Sequence, residues 1–416
     1  MCLQLGVSCC GLKIAFGKKY DATSGLWHVG IANVDRGSDD VNVSEASTLT
    51  PETTVVLDSP LSGTPGGQGL VVHGLRTDAS GNIYVMFTDE FASDTALYLA
   101  KLTSEGTLVW RTQISEISSA FVGDFVWGML AMRDDDSSVY GSVYYQNANS
   151  VSGVPAGTFE PVGGGEKFWG FRARTSDGYA EQYFSDSIAG VTMHGTPDFC
   201  RWGAGKIWIG PDGTGFDDGG VPDAGAANAS TGRRVYALDD AGSATVHDAG
   251  GTAQATGIYY RRIRDVAFNS AGDRWYAVQA NDGADSADTT LLNLVEAFAV
   301  SGDAPAWKFT VEDTNDVSGT HRGFFDTAFA KLVRDPVTDQ LVGCVNALQW
   351  SPPGVFRGRF NLRDDGSSFT LLLNTTGGLD WIDLQPRRDK GGSRGFVASV
   401  AQVAFAQYRQ GADFVS

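Results

Sequence analysis

Five histidines, His28, His73, His194, His247 and His321, stand far apart in this chain, and no two are spaced as His-x-x-x-His or His-x-His. Paired imidazoles at those spacings share one face of a helix or strand and can grip zinc, so zinc chemistry finds no local motif. No Gly-Lys-Ser/Thr loop offers backbone amides and a lysine to a phosphate. Carboxylates are grouped instead. Asp212, Asp217, Asp218 and Asp223 crowd one glycine-rich segment, and Asp282, Asp285 and Asp288 crowd another. Calcium takes hard oxygen ligands converging from a tight loop, but neither segment has the Asp-x-Asp-x-Asp-Gly spacing closed by a distal Glu. The reading adopted is acidic surface loops and no cofactor, with calcium in the Asp-rich loops as the alternative. The triple Asp134–Asp136 reads as turn residues, because Asp bonds its own backbone in turns.

Cys2, Cys9, Cys10, Cys200 and Cys344 make an odd, scattered set that argues against a disulfide framework. Cys200 and Cys344 lie in apolar strand contexts and read as small buried hydrophobes. Lys and Arg total 31 against 49 Asp and Glu, a net charge of −18. Gripping a phosphate backbone needs clustered cations, so this balance speaks against nucleic acid and anionic lipid as partners. The doublets Arg233–Arg234, Arg261–Arg262 and Arg387–Arg388 read as ion-pair partners. The aromatic and cationic run 259–264 reads as packing, with a contact site as the alternative. Nowhere does an apolar run of about 18 residues occur, so no membrane-inserted helix is expected.

The elements that must carry these groups are short strands. The stretch 70–114 reads as four of them: 70–77, 82–88, 97–102 and 108–114, with apolar residues alternating and Asp/Ser/Gly turns between. A lone four-stranded meander cannot bury both faces and needs neighbours of its own kind. A first turn type recurs around Gly11, Gly81, Ser138, Gly205, Gly272, Asp339 and Gly392, and a second type follows each one. Two turn types alternating in this way, with no helical stretch between, predict an all-β chain. The expected fold is a seven-bladed β-propeller of four-stranded antiparallel blades. The blades fall roughly at 1–60, 68–115, 124–186, 193–248, 260–312, 324–375 and 378–416 of a single domain. Residues 2–8 read as the first inner strand rather than a cleaved signal, since no basic residue precedes the apolar run. Residues 412–416 read as the outer strand of the last blade.

Residues 96–110, ALYLAKLTSEGTLVW, resemble the bacterial β-propeller repeat related to the quinoprotein type. There an apolar strand ending in Lys-Leu precedes a turn with Gly, and an aromatic closes the outer strand. The resemblance is close over one blade only. It implies the fold and carries no activity with it, because this architecture hosts binding proteins, scaffolds and enzymes alike. Some quinoprotein dehydrogenases carry a vicinal disulfide beside their cofactor, which Cys9–Cys10 would parallel. Those enzymes are exported, and a structural turn is the reading kept here.

Short hairpin turns leave one face of such a disc flat, and the longer links project from the other. Those links, about 146–166, 211–232, 281–290 and 350–355, are the expected interaction surface. Its candidate residues are Asn149, Phe159, Asp212, Phe216, Asp217, Asp218, Asp282, Asp285 and Trp350. The function expected is a non-enzymatic structural or attachment protein. A bacteriophage virion component of the tail or particle surface fits best, assembled in the host cytoplasm with other protein subunits as partners. The motive is the combination of an unexported, thiol-containing repeat fold, long links on one face and no local catalytic motif. The alternatives are a quinoprotein-like or axial-cavity enzyme, and a bacterial ligand-binding or scaffold propeller.

Overall fold

The computed structural model describes residues 5–7, 13–19, 27–33, 47–48, 53–56, 65–91, 94–118, 126–153, 162–184, 187–188, 191–192, 197–211, 234–248, 260–282, 292–311, 326–335, 340–350, 353–362, 369–374, 380–386, 393–398 and 403–408. Among them are strands and turns and no helix. The chain is all-β and built from four-stranded antiparallel meanders. It forms two compact units: 1–36 with 49–202 and 238–244, and 37–48 with 203–237 and 245–416. No helix among the described residues is long and apolar enough to cross a membrane.

In the first unit, Leu5–Val7, Lys13–Lys19, Trp27–Asn33 and Thr53–Val56 form one sheet. Pro65–Thr77, Ile83–Phe91, Asp94–Leu102 and Leu108–Ser118 make the next meander, and Val126–Met132, Ser138–Gly153, Val162–Arg174 and Ala180–Phe184 another. The four strands read from the 70–114 stretch are all present and longer than their alternation alone delimits. A further sheet runs in the order Pro197–Gly203, Lys206–Pro211, Arg234–Leu238 and Ala244–Asp248. In the second unit the meanders are Tyr260–Phe268 to Pro305–Val311 and Asp326–Arg334 to Phe369–Asn374. Its remaining sheet joins Asp380–Pro386, Ser393–Ala398 and Val403–Tyr408 to a fourth strand, Ser47–Thr48.

That fourth strand differs from the sequence reading, which gave the place beside the last sheet to 412–416. Thr48 pairs with Ala404 and Ser47 with Phe405, while 409–416 lie outside the described residues. Two residues carry no readable periodicity, so such a strand is invisible to pattern.

The links 146–166 and 350–355 differ as well. Tyr145 faces Lys167 and Val151 faces Val162, so much of the first link is a β-hairpin continuing its strands. Residues 150–153 also pair with the preceding meander, Ser150 with Ser118 through Gly153 with Ser115, while 154–161 lie outside the described residues. The edge 115–118 would otherwise stand as an open row of amides and carbonyls, and the hairpin covers it. At the second link, where a projecting loop was expected, Trp350 pairs directly with Pro353, and 351–352 lie outside the described residues.

Packing in the first unit follows the alternation. Tyr84, Met86, Leu97, Leu99 and Ile114 of one meander meet Leu130, Val139, Val143, Trp169 and Phe171 of the next, all buried. Each such side chain contributes about 1.5–3 kcal/mol when removed from water. Gly128 makes room for this: a Cβ there would lie 2.3 Å from the Met86 Cε.

A titratable side chain, His73, is among the polar groups inside this apolar setting. His73 is the extra residue where the register shifts between Val72 and Gly74, a bulge that re-aims its side chain. Its ring is buried and its Nε2 lies 2.7 Å from the Thr88 hydroxyl. Burial pushes its pKa down to about 3. The unfolded chain takes up that proton near the ordinary value of 6.5, so the contribution is fully present above 6.5 and is lost as pH falls toward 3. Thermal unfolding across pH should show it: below about pH 6 the parent should lose ~1.4 kcal/mol per pH unit more than His73→Gln. Parallel profiles would remove His73 from the account.

Candidate functional site: clasps at the hairpin turns

An aromatic residue recurs just inside the second strand of successive meanders: Tyr84, Tyr140, Trp208 and Tyr276, all buried. Each follows a turn that the sequence marks clearly. Asp78 shows why the turn is tight: its Oδ1 accepts the amides of Ser80 and Asn82, and its Oδ2 accepts the Tyr84 hydroxyl at 3.0 Å. Burial, and then the Asp78 charge, push the Tyr84 hydroxyl far above its ordinary pKa, so it stays a donor. The Asp134–Asp136 triple is a turn as expected, with Asp135 accepting the Ser137 amide and Asp136 at φ 57°.

Tyr84 and Tyr140 sit beside a turn from the next meander. The Thr175 carbonyl accepts the Lys101 ammonium at 3.1 Å and the Trp110 indole N–H at 3.2 Å. The Thr112 hydroxyl donates to the Gly178 carbonyl at 2.8 Å, and the Ala79 amide donates to Asp136 Oδ2 at 2.8 Å. Gly178 has φ +75°, and a Cβ there would meet Trp110 and the Thr112 Oγ1 at 2.6 Å. Only glycine fits this position.

The same arrangement is repeated with ionic chemistry. The Arg133 guanidinium donates to both Asp240 carboxylate oxygens at 2.7 and 2.8 Å, and the Tyr140 hydroxyl donates to Oδ1 at 3.0 Å. Arg172 donates to the Asp240 carbonyl at 3.1 Å and is held in place by Glu181. The Tyr183 hydroxyl donates to the Asp239 carbonyl. Arg133 also lies over the Trp202 ring, 4.9 Å from its centroid, and Tyr140 stacks on that ring. Burial opposes charge on Asp240, but the hydrogen bonds from Arg133 and Tyr140 outweigh it and hold its carboxyl below the usual range. A third clasp joins His247 Nδ1 to Asp303 Oδ1 at 3.1 Å, with Trp208 stacked on the imidazole. The side chains that could act as acids, bases or anion binders at these turns are committed to holding the chain to itself.

The predicted interaction residues fall elsewhere. Asn149 lies in the strand Ser138–Gly153, next to Ser150 where the hairpin meets the preceding meander. Asp282 and Trp350 end their strands, paired with Tyr260 and Pro353. Phe159, Asp212, Phe216, Asp217, Asp218 and Asp285 lie outside the described residues. Among the described residues no three His, Cys, Asp or Glu side chains stand close enough to hold a metal ion. Cys200 is a free, buried thiol, and burial pushes it up to about 11, which keeps it protonated; Cys344 is buried as well. Contrary to the expectation of no local catalytic motif, residues 391–395 spell Gly-x-Ser-x-Gly, the sequence of a nucleophile elbow. Such an elbow is a strand-to-helix turn, whereas Ser393 opens a strand and is paired with Pro386 on one side and Tyr408 on the other.

No family model matches the chain, and no curated protein matches it in sequence. In backbone the chain is similar to the Pyrococcus horikoshii acylaminoacyl peptidase, at 11% identity and a TM-score of 0.47, over 97% of this chain and 50% of that one. The chain thus spans about half the length of the peptidase. It is similar to the Dos1 propeller, at 11% identity and a TM-score of 0.47, over 98% and 92% of the two chains. It is also similar to the β-propeller domain of the Trilobed protease from Pyrococcus furiosus, at 10% identity and a TM-score of 0.46, over 97% and 92%.

Two glycines separate the clasp from plain turn strain. Gly205 has φ +70° and nothing within 4 Å of where a methyl would stand, whereas Gly178 is hemmed in by the preceding meander. Chemical denaturation should find Gly205→Ala costing about 1–2 kcal/mol of backbone strain. Gly178→Ala should cost at least ~1 kcal/mol more, because the Trp110 and Thr112 contacts must also give way. Equal losses would mean that the Thr175–Gly178 turn is not gripped.

Proposed function

We propose that this chain is a seven-bladed β-propeller acting as a non-enzymatic assembly or attachment platform, as a tail or particle-surface component of a bacteriophage virion. The observation that carries the platform reading is the set of clasps. Lys101, Trp110, Arg133, Tyr140 and Arg172 are directed at turns of the following meander, which suits a stiff frame that presents other segments to partners. The repeated four-stranded antiparallel meanders support the propeller reading, and the seven alternating turn pairs of the sequence support its count. The buried free thiol of Cys200 suits assembly in a reducing compartment such as a host cytoplasm. The net charge of −18 disfavours nucleic acid and favours contact with defined protein surfaces. Other subunits of a larger assembly are the partners, reached through the glycine- and aspartate-rich 212–232 segment and its neighbours.

Electron microscopy of particles from the native source tests the virion reading: the chain should appear at fixed stoichiometry in a symmetric particle. Recovery only as a free chain, with a stoichiometric quinone in its absorption spectrum, would overturn it. Replacing 212–232 by a short Gly/Ser link should leave the melting temperature within about 2 °C of the parent, because polar loops bury little apolar area. The same variant should fail to enter particles. Normal incorporation would remove that segment from the platform.

A further inference from the structure

His247 lies in the strand Ala244–Asp248 with its side chain only 4% exposed. Its ring stacks on Trp208 at 4.8 Å and 17°, and Trp275 stands 5.7 Å away at 55°. Trp208 is itself fixed, donating its indole N–H to the Gly203 carbonyl at 2.9 Å. The His247 Nδ1 reaches Asp303, which sits in the turn between Leu292–Ala299 and Pro305–Val311. One imidazole therefore ties the 197–248 sheet to the next meander, and it is the one clasp described above whose donor can change charge near neutral pH.

We propose that this joint is proton-sensitive, and that protonation of His247 loosens the 300–304 turn from the strand Ala244–Asp248. In the neutral state Nδ1–H donates to the Asp303 carboxylate. A second proton would place a cation among indole rings. Asp303 favours that cation from the turn, and Lys206, which donates to Thr245, opposes it from Lys206–Pro211. Arg274–Asp282 faces the imidazole with the Trp275 ring, and Tyr260–Phe268 packs Phe268 on Trp208. Burial is the largest influence and outweighs Asp303, so the imidazole binds its proton less readily than an exposed one. Once the turn opens, the ring recovers its ordinary value of 6.5. The clasp is therefore at full strength above that value and weakens as pH falls below it.

Hydrogen exchange of the full chain, corrected for intrinsic amide rates, reads the joint locally. The reporters are the Val300 amide, bonded to the Asp273 carbonyl, and the Gly302 amide, bonded to the Ala299 carbonyl. Between about pH 7.5 and pH 5.5 their protection should fall up to roughly tenfold in the parent. His247→Gln should abolish that dependence. Asp303→Asn keeps an acceptor and removes the charge that favours imidazolium, so its protection should keep falling at pH values where the parent has levelled. Protection that is flat or rising on acidification in the parent overturns the proposal, as does a pH-dependent loss that survives in His247→Gln. Should His247→Gln fail to fold, an Asp303→Asn profile that coincides with the parent overturns it equally.

Discussion

A turn carbonyl pressed against a neighbouring sheet loses its water and must find another donor. That constraint orders the hairpin ends of this chain. Thr175, Asp239 and Asp240 each present a carbonyl to the preceding meander, and in each case a side chain there donates to it. The donors differ, an ammonium and an indole in one place, a guanidinium and a phenol in another, while the geometry recurs. Apolar burial brings meanders together without choosing their register. The clasps choose it, because a shift of one residue would move every donor off its carbonyl.

The turns were the legible part of the sequence. Gly81 and Gly106 close their turns through amides bonded to Asp78 and Thr103, and both have positive φ, as Asp-x-x-Gly and Thr-x-x-Gly patterns imply. Alternation between turns then located the strands of the 65–118 meander to within a few residues. The clasps were not legible, since Arg133 and Asp240 are separated by another whole sheet's worth of chain. A signal did exist. An aromatic follows four of the first turns by two to four residues, in NIY, SVY, KIW and RWY, and in the first two its hydroxyl joins a clasp.

Polar composition misled at the hairpin 138–174. Gln146, Asn147, Asn149, Ser150 and Ser152 read as loop, because sequence logic assigns strands by apolar alternation. A strand needs only backbone partners, and here both sides of 150–153 have them. The extension thus turns what looked like a free display segment into part of the frame.

The pairing of Ser47 with Phe405 has a consequence for how the molecule comes into being. A ribosome delivers Ser47 early, and about 350 further residues must follow before its partner exists, on the order of half a minute at ordinary synthesis rates. Until then the nascent chain can complete its earlier sheets one after another, each from contiguous sequence, while 47–48 wait. Closing a loop of that length adds little more entropy than closing a shorter one, since the cost grows only with the logarithm of length. The delay is instead one of time, and it makes this sheet a checkpoint that the chain passes only once Val403–Tyr408 have been made.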